Sequence, residues 1–168
     1  VFDFEITGST NPDLDGATCA SAFTIGSVPY DTTNVSTLCK GNDYDDNDLC
    51  DNTYANGTEV VFEYTSAGNE CIAATIANME HLGGLFILDD CPGSGNCLGG
   101  GVCETGECDS IRVEVELTNP GTYYFVVSGN ENIVDQTFDL HLQNLADSTC
   151  ISCGDEICVE CRNSGLEE

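Results

Sequence analysis

Residues 111–128, IRVEVELTNPGTYYFVVS, decide the fold. In the first half of this stretch, apolar side chains alternate with Arg112, Glu114 and Glu116. A period of two predicts a strand that has one face in a core and the other in water. The turn residues 119–121, NPG, follow, and a second apolar run begins after them. The stretch therefore predicts two consecutive β-strands joined by a turn.

The alternation recurs elsewhere in the chain. Residues 59–65 and 137–143 are predicted to form half-buried strands, with Glu59 on the polar face of the first. Further strands are predicted at residues 22–25, 71–77, 85–88 and 122–128, and the last two are expected to be buried on both faces. Seven or eight short strands without an amphipathic helix predict an all-β fold, an antiparallel β-sandwich that is jelly-roll-like and disulfide-rich.

The composition restricts the compartment and the partners. The chain of 168 residues has 12 Cys and 30 Asp and Glu but 3 Lys and Arg, which gives a formal net charge of -27. Such an acidic surface repels nucleic acid and anionic lipid, so we expect no nucleic-acid partner. No apolar run approaches the roughly 20 residues that cross a bilayer, so no membrane insertion is expected. Abundant cysteine and a start at Val1 predict a processed, secreted protein of the cell surface or extracellular space.

The cysteines fall into three groups, and all twelve are predicted to form disulfides whose connectivity the sequence does not fix. The paired CxxC motifs of the C-terminal segment have a second interpretation, because four thiolates can hold Zn²⁺. The glycine-rich segment 92–106 is not predicted to form a core strand, and two bridges are expected to confine it. The groups are Cys19, Cys39, Cys50 and Cys71; Cys91, Cys97, Cys103 and Cys108; and Cys150, Cys153, Cys158 and Cys161.

Two acidic runs predict Ca²⁺ sites, because oxygen side chains at alternate positions of a tight loop can converge on this ion. The first run resembles the start of an EF-hand loop, but Ala22 occupies the position of the final Glu and no helices flank it. The other interpretation of both runs is an ordinary acidic turn. The predicted ligands are Asn11, Asp13 and Asp15 in the first run and Asp43, Asp45 and Asp48 in the second.

Catalytic groups are scarce. His81 and His141 are the two imidazoles, and His141 lies on the polar face of its predicted strand. No GxSxG, HExxH or phosphate-binding glycine loop is present. The chain is therefore predicted to be non-enzymatic.

Two sequences have the Asn-x-Ser/Thr pattern that accepts N-linked glycans, at residues 34–36 and 56–58. In a bacterial protein such sequences would usually carry no glycan.

The order of motifs resembles the prepeptidase C-terminal (PPC) domain, a β-sandwich accessory module of secreted bacterial proteins. The resemblance rests on residues 19–22 (CASA), 42–45 (NDYD), 60–64 (VVFEY), 85–91 (LFILDDC) and 117–127 (LTNPGTYYFVV). It implies a jelly-roll sandwich, secretion, occasional Ca²⁺ binding, no catalytic residues, and a role in adhesion, carbohydrate binding or solubility. The expected organisation is an N-terminal strand segment at 1–10, the sandwich at 11–147 and a Cys-rich tail at 148–168.

Two functions are compatible with these features. In the first, the chain is a structural subunit that polymerises with copies of itself, and residues 1–7 add as a strand to a neighbouring sandwich through Phe2, Phe4 and Ile6. The same strand could instead pair within its own sheet. In the second, the chain is a carbohydrate-binding or adhesive module, and its glycan-stacking candidates are Tyr30, Tyr44, Tyr54 and Tyr124.

Overall fold

The computed structural model describes residues 15–50, 56–79, 81–103, 110–130 and 136–145. Within these ranges a 3₁₀ helix, Cys19–Ser21, precedes nine strands. The strands are β1 (Phe23–Ile25), β2 (Tyr30–Ser36), β3 (Glu59–Ser66), β4 (Glu70–Ala77), β5 (Gly83–Leu88), β6 (Cys97–Cys103), β7 (Ser110–Leu117), β8 (Gly121–Gly129) and β9 (Thr137–Asn144).

The strands form two sheets that pack face to face. One has five strands in the order β1-β3-β8-β5-β6, and the other has four in the order β2-β9-β4-β7. Neighbouring strands are antiparallel except β1 and β3, which are parallel. The prediction of an all-β sandwich with disulfide bonds is confirmed. No described helix is long and apolar enough to cross a membrane.

The main core lies between the two sheets and is built by the predicted alternation. Phe62 of β3 meets Phe138 of β9 edge to face, with 6.4 Å between the ring centroids. Both side chains are almost completely buried. Each buried side chain of this kind stabilises the fold by about 1.5–3 kcal/mol relative to exposure. The hydrophobic effect across this layer therefore holds the sheets together.

The NPG turn connects the two sheets instead of forming a hairpin. β7 lies in the four-stranded sheet, and β8 lies in the five-stranded sheet. The hydroxyl of Tyr123 donates to the carbonyl of Asn119 at 2.7 Å, which fixes the start of β8 against the turn. Consecutive strands of the stretch 111–128 thus cover the core from opposite sides.

The prediction that the glycine-rich segment forms no core strand is wrong. β6 pairs with β5, and its residues 100–103 are buried. A Cβ added at Gly100 would lie 3.0 Å from the Phe86 ring, and one at Gly99 would lie 3.0 Å from a methyl group of Val115. Glycine therefore lets β6 approach the neighbouring side chains closely, which a propensity argument does not anticipate.

Several predicted residues lie outside the described ranges, and their predictions are untested. They are Phe2, Phe4 and Ile6 of the N-terminal strand; Asn11 and Asp13 of the first acidic run; and Cys108, Cys150, Cys153, Cys158 and Cys161.

Candidate cation-binding loop

A second apolar layer covers the outer face of the five-stranded sheet. Leu49, at the end of the loop of residues 41–50, is fully buried against Val61, Phe86 and Val126. The backbone N–H of Leu49 donates to the carbonyl of Asp45 at 3.2 Å, which closes a single turn. The acidic loop therefore has an apolar anchor in this outer layer.

Two disulfides fasten the outer layer to the β5–β6 region. Cys19 of the 3₁₀ helix bonds Cys91, and Cys50 at the end of the acidic loop bonds Cys97. The disulfide partners of Cys91 and Cys97 thus both lie outside the glycine-rich segment. Cys71 and Cys103 are also disulfide-bonded.

The prediction of a disulfide at Cys39 is wrong. Its thiol is free and exposed. Cys39 lies in the turn after β2, where the N–H of Lys40 donates to the carbonyl of Thr37 at 3.0 Å. Because this turn exposes the side chain, the thiol of Cys39 lies outside the outer layer, which contains the two disulfides.

The segments that carry Asp15 and Asp43 meet at one edge of β3. The carbonyl of Gly16 accepts the N–H of Val61 at 2.8 Å, and the carbonyl of Gly41 accepts the N–H of Glu59 at 3.2 Å. Two residues of a strand span about 7 Å, so the two loops dock side by side. Lys40 joins them, because its Nζ donates to the carbonyl of Asp15. Asp15 and Asp43, 28 positions apart in sequence, thus belong to neighbouring loops.

Glu59 is a buried carboxyl beside the acidic loop. It is 1% exposed, its Oε2 accepts the N–H of Asp43 at 3.0 Å, and its Oε1 has no hydrogen-bond partner. Burial raises the pKa of Glu59 to about 8, and the charge of Asp43 adds to the rise. Asp46 Oδ1 is likewise buried without a partner. Two carboxylate oxygens of this region therefore lack the partners that buried polar atoms normally have.

Sequence reasoning missed Glu59 for one reason. Alternation places Glu59 and Val61 on the same face of the strand, and the pattern predicts that this face lies in water. The face is instead covered by the acidic loop. Nothing in the local pattern of residues 59–65 indicates that cover, since it comes from the loop of residues 41–50, outside the strand itself.

The three predicted ligands of the second run do not converge in this arrangement. The Oδ1 of Asp45 accepts both the backbone N–H and the amide of Asn47, and these bonds lower the pKa of Asp45. The Oδ2 of Asp48 accepts the N–H of Asp45 at 3.2 Å. Among the described residues no group of three or more His, Cys, Asp or Glu side chains is arranged to hold a metal ion. Asp45 and Asp48 therefore stabilise the turn, and the polar atoms left without partners are those of Asp46 and Glu59.

The predicted tyrosine platforms are packed. The Tyr44 hydroxyl accepts the N–H of Cys19 at 3.1 Å and lies 3.4 Å from its sulfur. Burial raises the pKa of Tyr44, and neighbouring carboxylates contribute. Tyr30 packs against the main core and Tyr124 against the outer layer. Tyr54 lies outside the described residues. None of the three described tyrosines is a free stacking surface.

A row of polar side chains crosses the outer face of the four-stranded sheet. The row contains one residue from each strand, and each residue is the register partner of the next: Asp31 of β2, His141 of β9, Thr75 of β4 and Arg112 of β7. Strands lie about 4.8 Å apart, so the row spans roughly 14 Å. His141 Nδ1 lies 2.6 Å from Asp31 Oδ1, and Arg112 forms an ion pair with Glu114 at 2.8 Å. This face therefore offers paired donors and acceptors at fixed spacing.

Comparisons with known proteins find solved structures to which the chain is similar. The chain is similar to the pre-peptidase C-terminal domain of a collagenase from Bacillus anthracis, at 19% identity and a TM-score of 0.47, over 73% of this chain and 94% of that one. It is also similar to a family 6 carbohydrate-binding module, at 17% identity and a TM-score of 0.32, over 51% of this chain and 66% of that one. The first likeness is to the kind of domain that the sequence motifs resemble. No family model and no curated protein matches the chain.

Proposed function

We propose that the chain is a non-catalytic extracellular module whose two acidic loops bind Ca²⁺ at the edge of β3. The observation that carries this proposal is the pair of buried carboxylate oxygens without partners, Glu59 Oε1 and Asp46 Oδ1. An acidic cluster alone would be satisfied by water. A buried carboxylate without a partner is costly, and a cation removes that cost.

The ligand types suit a hard cation, which would have to draw the side chains together, because no described group of three is already arranged to hold a metal ion. Ca²⁺ takes about six to eight oxygen ligands from carboxylates, carbonyls and water. Asp43, Asp46 and Glu59 would supply carboxylates from the second loop and β3, and Asp15 would supply oxygen from the first loop. When bound, the ion neutralises carboxylates that Lys40, the basic residue joining the two loops, cannot balance alone.

Calcium binding is tested by thermal unfolding of the full chain, followed by circular dichroism, with Ca²⁺ and with chelator. A ligand at 100 times its Kd stabilises a protein by about 2.7 kcal/mol. For a chain of this size we expect the Tm to rise by roughly 5–10 °C. Tb³⁺ provides a direct probe, because Tyr44 lies within the acidic loop and can sensitise its emission.

The matched pair of variants is Glu59→Gln and Glu63→Gln. Both change one glutamate of β3, but Glu63 is half-buried and accepts the hydroxyl of Thr24 instead of facing the acidic loop. Glu59→Gln should raise the Ca²⁺ concentration that gives half of the Tm increase at least tenfold. Glu63→Gln should leave that concentration unchanged. Equal Tm values with Ca²⁺ and chelator in the unmodified chain would contradict the proposal.

A second candidate function is carbohydrate binding or adhesion through the polar face of the four-stranded sheet. The row from Asp31 to Arg112 favours it, because glycan sites use a few well-placed polar groups to fix the ligand. A glycan array of the full chain should give signals that Arg112→Ala and His141→Ala remove. Glu63→Gln, on the other sheet, is the control. Silence of the unmodified chain with and without Ca²⁺ would count against this function.

Strand donation between copies of the chain stays a prediction, because Phe2, Phe4 and Ile6 lie outside the described residues. Its support is the alternating apolar pattern of residues 1–7, which suits addition to a sheet edge. Head-to-tail addition of this kind produces fibres. Electron microscopy and size-exclusion chromatography should show filaments for the intact chain and monomers after deletion of residues 1–10. Monomers in both samples would exclude this form of assembly.

A further inference from the structure

The sequon at residues 34–36 lies at an irregular point of an edge strand. β2 is the end strand of the four-stranded sheet, and in the described residues β9 is its paired strand. The pairing is interrupted between Thr32 and Val35, so Asn34 has no register partner. Its backbone is left-handed, with φ of 54°, a conformation that asparagine adopts more readily than most residues. The acceptor residue of the sequon therefore stands outside the regular ladder.

A neighbouring carboxylate holds this bulge in place. Asp139 Oδ1 accepts the backbone N–H of Asn34 at 2.8 Å, and its Oδ2 accepts the side-chain amide of Asn78 at 2.6 Å. Asn34 itself is exposed, whereas the next residue, Val35, packs against the main core. The bulge thus fixes the backbone through Asp139 and leaves the Asn34 side chain in solvent.

The second sequon, at residues 56–58, is closed in. The carbonyl of Asn56 accepts the side-chain amide of Asn42 at 2.9 Å, and the hydroxyl of Thr58 donates to that of Thr37 at 2.8 Å. Between them, Gly57 is buried so tightly that an added Cβ would lie 2.5 Å from the backbone of Gly129. The Thr58 hydroxyl is thus bonded to a buried side chain, whereas the Ser36 hydroxyl of the first sequon accepts the N–H of Leu38 at 3.0 Å in an exposed position.

We infer that Asn34 is an acceptor site for an N-linked glycan in the folded chain, and that Asn56 is not. The donor is a lipid-linked oligosaccharide diphosphate, and the catalyst is an oligosaccharyltransferase. The amide nitrogen of Asn34 forms a bond to the anomeric carbon of the sugar, and the bond from that carbon to the diphosphate oxygen breaks. The amide loses one proton to the catalytic base, and the lipid diphosphate leaves. A glycan at this position would lie beside β2, the end strand of the four-stranded sheet among the described residues.

The test uses the full, oxidised chain, a single-subunit oligosaccharyltransferase that accepts Asn-x-Ser/Thr, and its lipid-linked donor. Intact mass is expected to increase by one glycan, and peptide mapping is expected to place that glycan on Asn34. Asn34→Gly should abolish the increase and still fold, because glycine adopts the left-handed backbone without strain. Asn56→Gln should leave the increase unchanged.

A parallel reaction uses the reduced and alkylated chain, which is unfolded. It shows whether the choice between the two sequons depends on the fold or on the sequence around each asparagine. In the unfolded chain both sequons should be modified, whereas the folded chain should be modified at Asn34 alone. Modification of Asn34 in the unfolded chain but not in the folded chain would overturn the inference. Modification of Asn56 in the folded chain would overturn it as well.

Discussion

The backbone N–H of Asp43 donates to the Oε2 of Glu59 across 3.0 Å, and this bond joins the acidic loop to the first residue of β3. The same carboxyl has its second oxygen buried without a partner. Glu59 is therefore held by one hydrogen bond in a place where its charge is poorly solvated. The stability of the loop depends on how that charge is removed, by a proton or by a cation.

Stability in Ca²⁺-free buffer should fall as the pH rises from about 5 to 8. The pKa of Glu59 is raised from 4.5 to about 8, so in this range the folded chain keeps a proton that the unfolded chain has lost. A tenfold change in proton affinity corresponds to about 1.4 kcal/mol, so the loss can reach roughly 5 kcal/mol. Urea unfolding at several pH values measures it.

Glu59→Gln supplies the comparison, because glutamine can still accept the Asp43 N–H and cannot ionise. The free energy of unfolding of this variant should be nearly independent of pH over the same range. Asp45 and Asp139 have lowered pKa values, so their contributions are lost only at more acidic pH. Identical pH profiles for Glu59→Gln and the unmodified chain would contradict the assignment.

Leu49→Ala should destabilise the chain by about 2–5 kcal/mol, although Leu49 lies in no strand. The side chain is fully buried against the outer face of the five-stranded sheet, so truncation leaves a cavity there. Chemical denaturation measures the loss. Leu38→Ala is the control, because Leu38 is 54% exposed in the preceding turn and should change stability by no more than about 0.5 kcal/mol.

Alternation predicted most of the strands, because in each of them every second side chain points to the same face of the sheet. The stretches 59–65, 111–117 and 137–143 agree with β3, β7 and β9 to within one residue at each end. The run at 85–88 is buried on both faces as predicted, and in the run at 122–128 this holds for residues 125–128, whereas Thr122 and Tyr124 are half-buried. These features depend on local sequence alone, since the period of the backbone decides which side chains share a face.

The outer layer could not be predicted because it depends on contacts between distant segments. β2 and β6 lack a simple alternation, and β6 is built on glycines that matter only because Phe86 and Val115 lie close by. The burial of Glu59 and the bonding of Cys19 to Cys91 follow from where the acidic loop and the 3₁₀ helix dock. The acidic runs were visible in the sequence, but the placement of Asp15 beside the loop of residues 41–50 was not.

Removing the Cys50–Cys97 disulfide by a double substitution to serine should cost about 4 kcal/mol. The bridge spans 47 residues of sequence, and the loop-entropy model relates the stabilisation to this length. The loss should appear as a lower denaturant midpoint, accompanied by loosening of the adjacent Leu49. Cys39→Ser is the matched control, because this thiol is free and exposed. A loss of several kcal/mol in Cys39→Ser would show that Cys39 has a partner.

Gly57→Ala should destabilise the chain by about 1–3 kcal/mol, because the new methyl group would meet the Gly129 backbone at 2.5 Å. That backbone cannot move freely, since the N–H of Gly129 donates to the carbonyl of Thr58 at 3.1 Å. Gly26→Ala is the comparison, because nothing lies within 4 Å of its added Cβ. The second change should be neutral or stabilise by up to about 1 kcal/mol through the unfolded state. Equal midpoints for the two variants in urea would show that the contact between residues 57 and 129 is looser than described, and would also remove the steric reason for the closed sequon at Asn56.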